Sequence, residues 1–188
     1  MRPEMLIVAG PNGAGKSTLA YEYVEEYDWP YVSADLIAAG LRPDDPAAAR
    51  IQAGRLFFKQ LHELAEARQS FIVETTLSGK GFLRVIRRLR DQEYRVSIAF
   101  VFVGHPDLCI QRVAVRVQRG GHDVPQPDII RRFYRSKANF WTHYRNEVDE
   151  WYVYRNSSEA GMKMIALGKR EAVQILDDAG FASFMRDI

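Results

Sequence analysis

The chain has 188 residues, 47% of them hydrophobic and 12% aromatic, enough to bury one full core but not two. Its 26 basic and 24 acidic residues leave a formal charge of +2, so there is no global electrostatic case for a nucleic acid or a membrane as partner. The lone Cys109 excludes an internal disulfide, no run is long enough for a transmembrane helix, and no signal-peptide pattern precedes the first apolar run. The expectation is one cytoplasmic domain over residues 1–188.

Met5–Ala9 reads as a first strand and runs directly into Gly10-Pro11-Asn12-Gly13-Ala14-Gly15-Lys16-Ser17-Thr18. That is a complete G-x-x-x-x-G-K-[ST] loop between a strand and a helix, the latter expected from Lys16 to about Tyr27. Gly10, Gly13 and Gly15 allow the backbone N–H groups to turn inward as an anion nest. Lys16 supplies a point charge to the β- and γ-phosphates, and the Ser17 hydroxyl is the expected Mg²⁺ ligand. A nucleoside triphosphate, ATP, is therefore the expected ligand.

Tyr31–Ser33 reads as a short second strand, ending at Ser33-Ala34-Asp35, before a brief helix at Leu36–Ala39. Asp44-Asp45-Pro46 opens a long helix to about Arg68, with Pro46 in its first turn. Phe71–Glu74 is a third strand, and Gly79–Gln92 a basic helix. Val96–Val103 is the most apolar strand and must be central, covered on both faces. Two helices, Pro106–Arg119 and Pro127–Glu147, flank Gly120-Gly121-His122-Asp123-Val124-Pro125. Trp151–Tyr154 and Met162–Leu167 read as fifth and sixth strands, and Arg170–Asp177 as a closing helix. Alternating strands and helices predict a three-layer α/β fold of the P-loop NTPase and kinase type, with a mostly parallel sheet of about five to six strands. Its parallel strands are expected in the order 2-3-1-4-5.

In such a sheet, ligands sit beyond the carboxyl ends of the strands. Asp35, past the second strand, stands where a general base for an attacking hydroxyl is needed; alternatively Asp35 or Ser33 caps the short helix. Glu74 ends the third strand in a Walker-B-like position and is a candidate for Mg²⁺ or for the hydroxyl acceptor, with Thr75 and Thr76 as further substrate contacts. Arg112, Arg116 and Arg119 form one stripe of a helix, beside a buried stripe of Cys109, Val113 and Val117. Arg131 and Arg135 share a face of the next helix, whose buried face is marked by Ile130, Phe133, Trp141 and Tyr144. The two Arg-bearing helices read as a lid over about residues 112–135 that closes on ATP and neutralises transition-state charge. Leu77-Ser78-Gly79-Lys80-Gly81 is not an ABC-transporter signature, because the strand ending at Val103 lacks the Asp-Glu pair that class requires. His62, His105, His122 and His143 have no metal-ligand spacing.

Taken in order, Gly10–Thr18, Ser33-Ala34-Asp35, Ala53-Gly54-Arg55, Val73–Gly79, Arg116 with Arg119–Pro125, and Ile130-Arg131-Arg132 resemble the zeta-toxin-like kinases. The phosphate loop is shared by many NTPases; the later segments and their order carry the resemblance. It implies transfer of the γ-phosphate of Mg-ATP to a hydroxyl, with Asp35 as base and with Lys16 and the lid arginines on the phosphates. It places Glu74 at substrate or Mg²⁺, Arg55 among the substrate contacts, and Asn156 and Ser157 near the adenine. The implied acceptor class includes nucleotide sugars such as UDP-N-acetylglucosamine, and the implied protein partner is an antitoxin. Two alternatives share the motifs: a nucleotide or other metabolite kinase, and a nucleotide-dependent switch or partner-binding module that is not a kinase. GTP is disfavoured, because Val103-Gly104-His105-Pro106-Asp107 is not a guanine motif.

Overall fold

The computed structural model describes residues 2–157 and 161–188. Its centre is a seven-stranded sheet in the order β2-β3-β1-β4-β5-β6-β7. The strands are β1 (Glu4–Ala9), β2 (Tyr31–Ser33), β3 (Phe71–Thr75), β4 (Arg95–Phe102), β5 (Glu150–Ser157), β6 (Gly161–Lys169) and β7 (Ala172–Ile175). The first five are parallel in the order the βα alternation requires, and β6 and β7 add an antiparallel edge. The sheet thus has more strands than the sequence suggests.

Strand alternation divides the core between the two faces of the sheet. Ile7, Val73, Ile98 and Phe100 face one side, where helices α3 (Arg50–Glu66) and α4 (Leu83–Asp91) bring Phe57, Leu61, Ile86 and Leu89. Leu6, Val8, Ile72, Ala99 and Val101 face the other, under Leu19 and Ala20 of α1 (Lys16–Tyr27). Val96 and the run Ile98–Val103 are completely buried, as expected of a central strand with both faces covered. Beyond the carboxyl end of β4, Val103 joins Cys109 and Val113 of α5 (Pro106–Gln118) with Ile129 and Phe133 of α6 (Gln126–Asn139) in a small satellite core. This core fixes α5 and α6 against the sheet rim.

Several expectations change. The expected closing helix at Arg170–Asp177 is a reverse turn and the edge strand β7; the helix α7 follows at Asp178–Met185. Arg170 adopts a left-handed conformation in that turn, and the alternating Val173 and Ile175 suit a strand. The long helix starts at Arg50, not at Asp44, with Pro46 in the preceding turns, and the short helix α2 covers Ala34–Leu41. The basic helix starts at Leu83, after a loop from Thr76. Val117 and Ile130 are exposed at 38% and 37%; Ile129, at 2%, is the buried member of its pair.

The second lid helix also does not run unbroken to Glu147. After Asn139 it widens into a π-helical turn, Phe140–Tyr144, and then a 3₁₀ turn, Arg145–Glu147. The junction has a clear use. Asn139 Nδ2 donates to the Leu77 carbonyl at 3.0 Å, and the Tyr144 hydroxyl donates to the Gly79 carbonyl at 2.5 Å. Both bonds hold the loop after β3, in which Leu77 has a left-handed φ of 50°.

Candidate active site

The phosphate loop has the backbone shape its glycines permit. Gly10, Gly13 and Gly15 have φ of 140°, 78° and 100°, values that an L side chain rarely adopts. Space is a second constraint at Gly13, where a Cβ would lie 2.6 Å from the Cys109 carbonyl oxygen. The loop ends at the N-terminus of α1, a place where backbone N–H groups and the helix dipole favour an anion.

Lys16 is only 6% exposed and has two partners, the Pro11 carbonyl at 3.1 Å and Glu74 Oε1 at 3.7 Å. The other Glu74 oxygen accepts from Ser17 Oγ at 2.8 Å and from the Tyr31 hydroxyl at 2.6 Å. The register explains the meeting: Glu74 pairs with Val8 of β1 and Ser33 of β2, between the phosphate loop and Asp35. Burial, then the charge of Glu74, pushes the Tyr31 hydroxyl well above the ordinary phenol range, so it remains a donor. The Ser17 hydroxyl beside the Glu74 carboxylate makes a pair of hard oxygen donors. That pair suits Mg²⁺, which takes few protein ligands and keeps waters and phosphate oxygens for the rest.

A cavity of about 440 Å³ opens from Asn12 and Lys16 of the loop, past Glu74, to Asp35. Asp35 lies in the first turn of α2, and its carboxylate has no hydrogen bond or ion pair among the described residues. Ser33 occupies the N-cap position but makes no capping bond through its side chain, so capping explains neither residue. Thr75 and Thr76 line the same cavity.

The lid reaches the loop through a residue the helical stripe did not single out. Arg132 Nη1 donates to Asn12 Oδ1 at 3.0 Å, and Arg132 and Arg131 share Asp128 at 3.6 Å and 3.0 Å. Burial pushes the Arg132 guanidinium below its ordinary range, with Asp128 opposing. On α5, Arg116 donates to the His122 carbonyl at 2.6 Å and so shapes the link between the lid helices. Asn156 donates to the Ala14 carbonyl at 2.8 Å and accepts from Arg112 at 3.5 Å. Arg112 Nη1 and Arg116 Nε are buried with no hydrogen-bond partner among the described residues.

A family model described as an AAA domain matches residues 5–136. The chain belongs to that AAA-domain family. This AAA-domain protein is 27% identical over 134 residues to a Haemophilus influenzae protein described as uncharacterized, a match spanning 71% of this chain and 94% of that one. Among solved structures it is similar to a chain of the PezAT chromosomal toxin–antitoxin system of Streptococcus pneumoniae. That match has a TM-score of 0.65 at 16% identity and covers 82% of this chain and 68% of the other. It is also similar to a chain of the AvrRxo1-ORF1:-ORF2 complex with ATP, at a TM-score of 0.77 and 12% identity, covering 97% of this chain and 63% of the other. These likenesses establish a P-loop kinase fold, and at that level the resemblance to zeta-toxin-like kinases holds.

The fold of this AAA-domain protein brings Lys16, Ser17, Asp35, Glu74, Thr75, Thr76 and Arg131 to one site. Arg112 and Asn156 lie together on the outer side of the phosphate loop. Arg55 and Arg119 are exposed and do not line the cavity; Arg50, five residues before Arg55, does. Arg50 and Tyr31 are site residues that the sequence did not single out, and Arg132 stood out only within the Ile130-Arg131-Arg132 segment, with no role of its own. The spacing Ile129–Phe133–Ser136–Phe140 was the available signal for Arg132, because that buried stripe turns Arg132 inward beside Phe133.

Proposed function

We propose that this protein is a Mg-ATP-dependent kinase that transfers the γ-phosphate to the hydroxyl of a small molecule, with Asp35 as general base. One observation carries the reading. A single cavity joins the phosphate loop to two carboxylates, of which Glu74 is engaged by three donors and Asp35 by none. The free carboxylate is the one able to accept a proton.

In this mechanism the loop N–H groups and Lys16 bind the β- and γ-phosphates of ATP. Ser17 and Glu74 would hold Mg²⁺, which supplies charge neutralisation and orients the phosphates. Asp35 accepts the proton of the acceptor hydroxyl as its oxygen bonds to the γ-phosphorus. The bond from that phosphorus to the β,γ-bridging oxygen breaks, and ADP leaves with the electron pair. Arg131 and Arg132 stabilise the charge on the transferring group, while Arg112 and Asn156 flank the nucleotide on the outer side. Arg116 acts indirectly, by fixing the His122 segment of the lid, and closure excludes water that would otherwise hydrolyse ATP.

UDP-N-acetylglucosamine is the reference compound against which other acceptors are compared. An antitoxin-like protein in the cytoplasm is the proposed partner class, supported by the toxin–antitoxin system named for one structural neighbour and the ORF1:ORF2 pair named for the other. No described helix is long and apolar enough to cross a membrane. The test is ³¹P NMR and mass spectrometry of the protein with Mg-ATP and a panel of alcohols, sugars, nucleosides and nucleotide sugars. A new phosphomonoester supports the kinase; ADP and free phosphate alone, at an unchanged rate with every compound, overturn it.

A further inference from the structure

The cavity is charged unevenly beyond the Lys16–Glu74 pair. Arg50 opens α3 and lines the cavity together with Asp35, and Arg131 and Arg132 line it from α6. The charges of Asp128, Arg50, Asp35 and Arg131 all act on the Arg132 guanidinium, so these groups are close in space. Their roles are not equivalent. Arg132 is fixed to Asn12 of the phosphate loop, and Arg131 and Arg132 already share Asp128. Lys16 and Glu74 offset each other.

Arg50, in contrast, has no carboxylate partner among the described residues. Arg50 and Arg131 repel Arg132, Asp128 and Asp35 oppose that repulsion, and an anion beside the unpaired Arg50 would relieve what remains. The same wall carries apolar surface. Phe57 is buried beneath it, while Phe58, also on α3, is 53% exposed although it lines the cavity. A large aromatic left half open inside a polar cavity is suited to cover a carbon skeleton.

We propose that the phosphoryl acceptor carries an anionic group of its own, a carboxylate or a phosphate, and that Arg50 binds this group while Phe58 covers the adjoining carbon skeleton. The inference rests on the kinase reading and deepens it. Asp35 then meets the hydroxyl of the acceptor and Arg50 meets its anion. Arg50 is thereby a specificity-determining residue.

The first test does not require turnover. With Mg²⁺ and a non-hydrolysable ATP analogue filling the phosphate loop, inorganic phosphate and acetate are titrated separately and followed by calorimetry. The expected result is saturable binding of at least one probe, weakened tenfold or more in Arg50→Ala and partly restored in Arg50→Lys. Preference for phosphate or for acetate identifies which anion the site accepts. No saturable binding of either probe, or equal affinity in Arg50→Ala, overturns the proposal. Failure of the kinase reading looks different: no acceptor is phosphorylated, yet the Arg50-dependent anion site persists. Where transfer is observed, removing the anion from a matched acceptor should raise KM at least tenfold with little change in kcat. An equal KM for the neutral acceptor contradicts the proposal.

Discussion

The two walls of the cavity are built differently. The phosphate-loop wall is buried and interlocked: Lys16, Ser17 and Tyr31 all reach Glu74, and Arg132 locks Asn12 to the lid. The acceptor wall is open, with Asp35 and Arg50 exposed and unpaired among the described residues and Phe58 half uncovered. Polar groups fixed in place stabilise developing charge without reorganising, and this suits the common chemistry of phosphoryl transfer. Unsatisfied groups on an open wall suit recognition, because their partner arrives with the substrate. We therefore propose that the first wall serves catalysis and the second specificity, with Asp35 on the second wall where it faces the first.

The comparison breaks most severely if the loop itself is changed. Gly13→Ala places a Cβ 2.6 Å from the Cys109 carbonyl at a φ of 78°. Strain of about 1–3 kcal/mol is expected, together with loss of nucleotide binding, and thermal melting with and without Mg-ATP checks both. Arg132→Ala tests whether the lid contact belongs to the catalytic wall. Its kcat should fall by about 10²–10³ with little change in acceptor KM, as measured by initial rates.

Tyr31→Phe keeps the ring but removes the hydroxyl that donates to Glu74 at 2.6 Å. Apparent Mg²⁺ affinity, measured as the concentration that supports half-maximal binding of a fluorescent ATP analogue, should weaken about tenfold. An unchanged Mg²⁺ dependence would detach Tyr31 from the catalytic wall.

The smallest effect belongs at the opposite end of the sheet. Lys169 foremost, with Tyr152 and Arg95, holds the Glu150 carboxyl down at about 2. Its folded value lies below the unfolded one, so its stabilisation is complete above about 4.5 and is lost as pH falls toward 2. Glu150→Gln should flatten the fall of Tm with pH in that window and leave nucleotide binding intact. An altered affinity for ATP would show that the two ends of the sheet are coupled.

The walls also differ in how far they could be read from sequence. The phosphate loop, Asp35 and Glu74 were legible because their positions follow from strand ends in a parallel sheet, and the expected order of the first five strands is the observed one. Chemistry that depends on rotation about a helix was harder. Arg131 and Arg132 are adjacent, and choosing the one that meets the loop requires knowing that Ile129, not Ile130, is buried. Arg50 was hidden because α3 starts six residues after Asp44, beyond turns that Asp44-Asp45-Pro46 made look helical. Residues 170–177 misled for another reason: four residues of edge strand carry too little alternation to outweigh a charged, helix-compatible flank. The Tyr144 bond to Gly79 depends on a π-helical turn that no residue pattern announces.

The most direct test of the division between the walls is Asp35→Asn, measured for nucleotide affinity and transfer rate on the same preparation. Affinity for Mg-ATP is expected to stay within about twofold of the wild type, and transfer to the acceptor to fall by about 10²–10⁴. Transfer that survives the substitution unchanged, or nucleotide binding that fails with it, would contradict the assignment of Asp35 as the base facing a separate phosphate-loop wall.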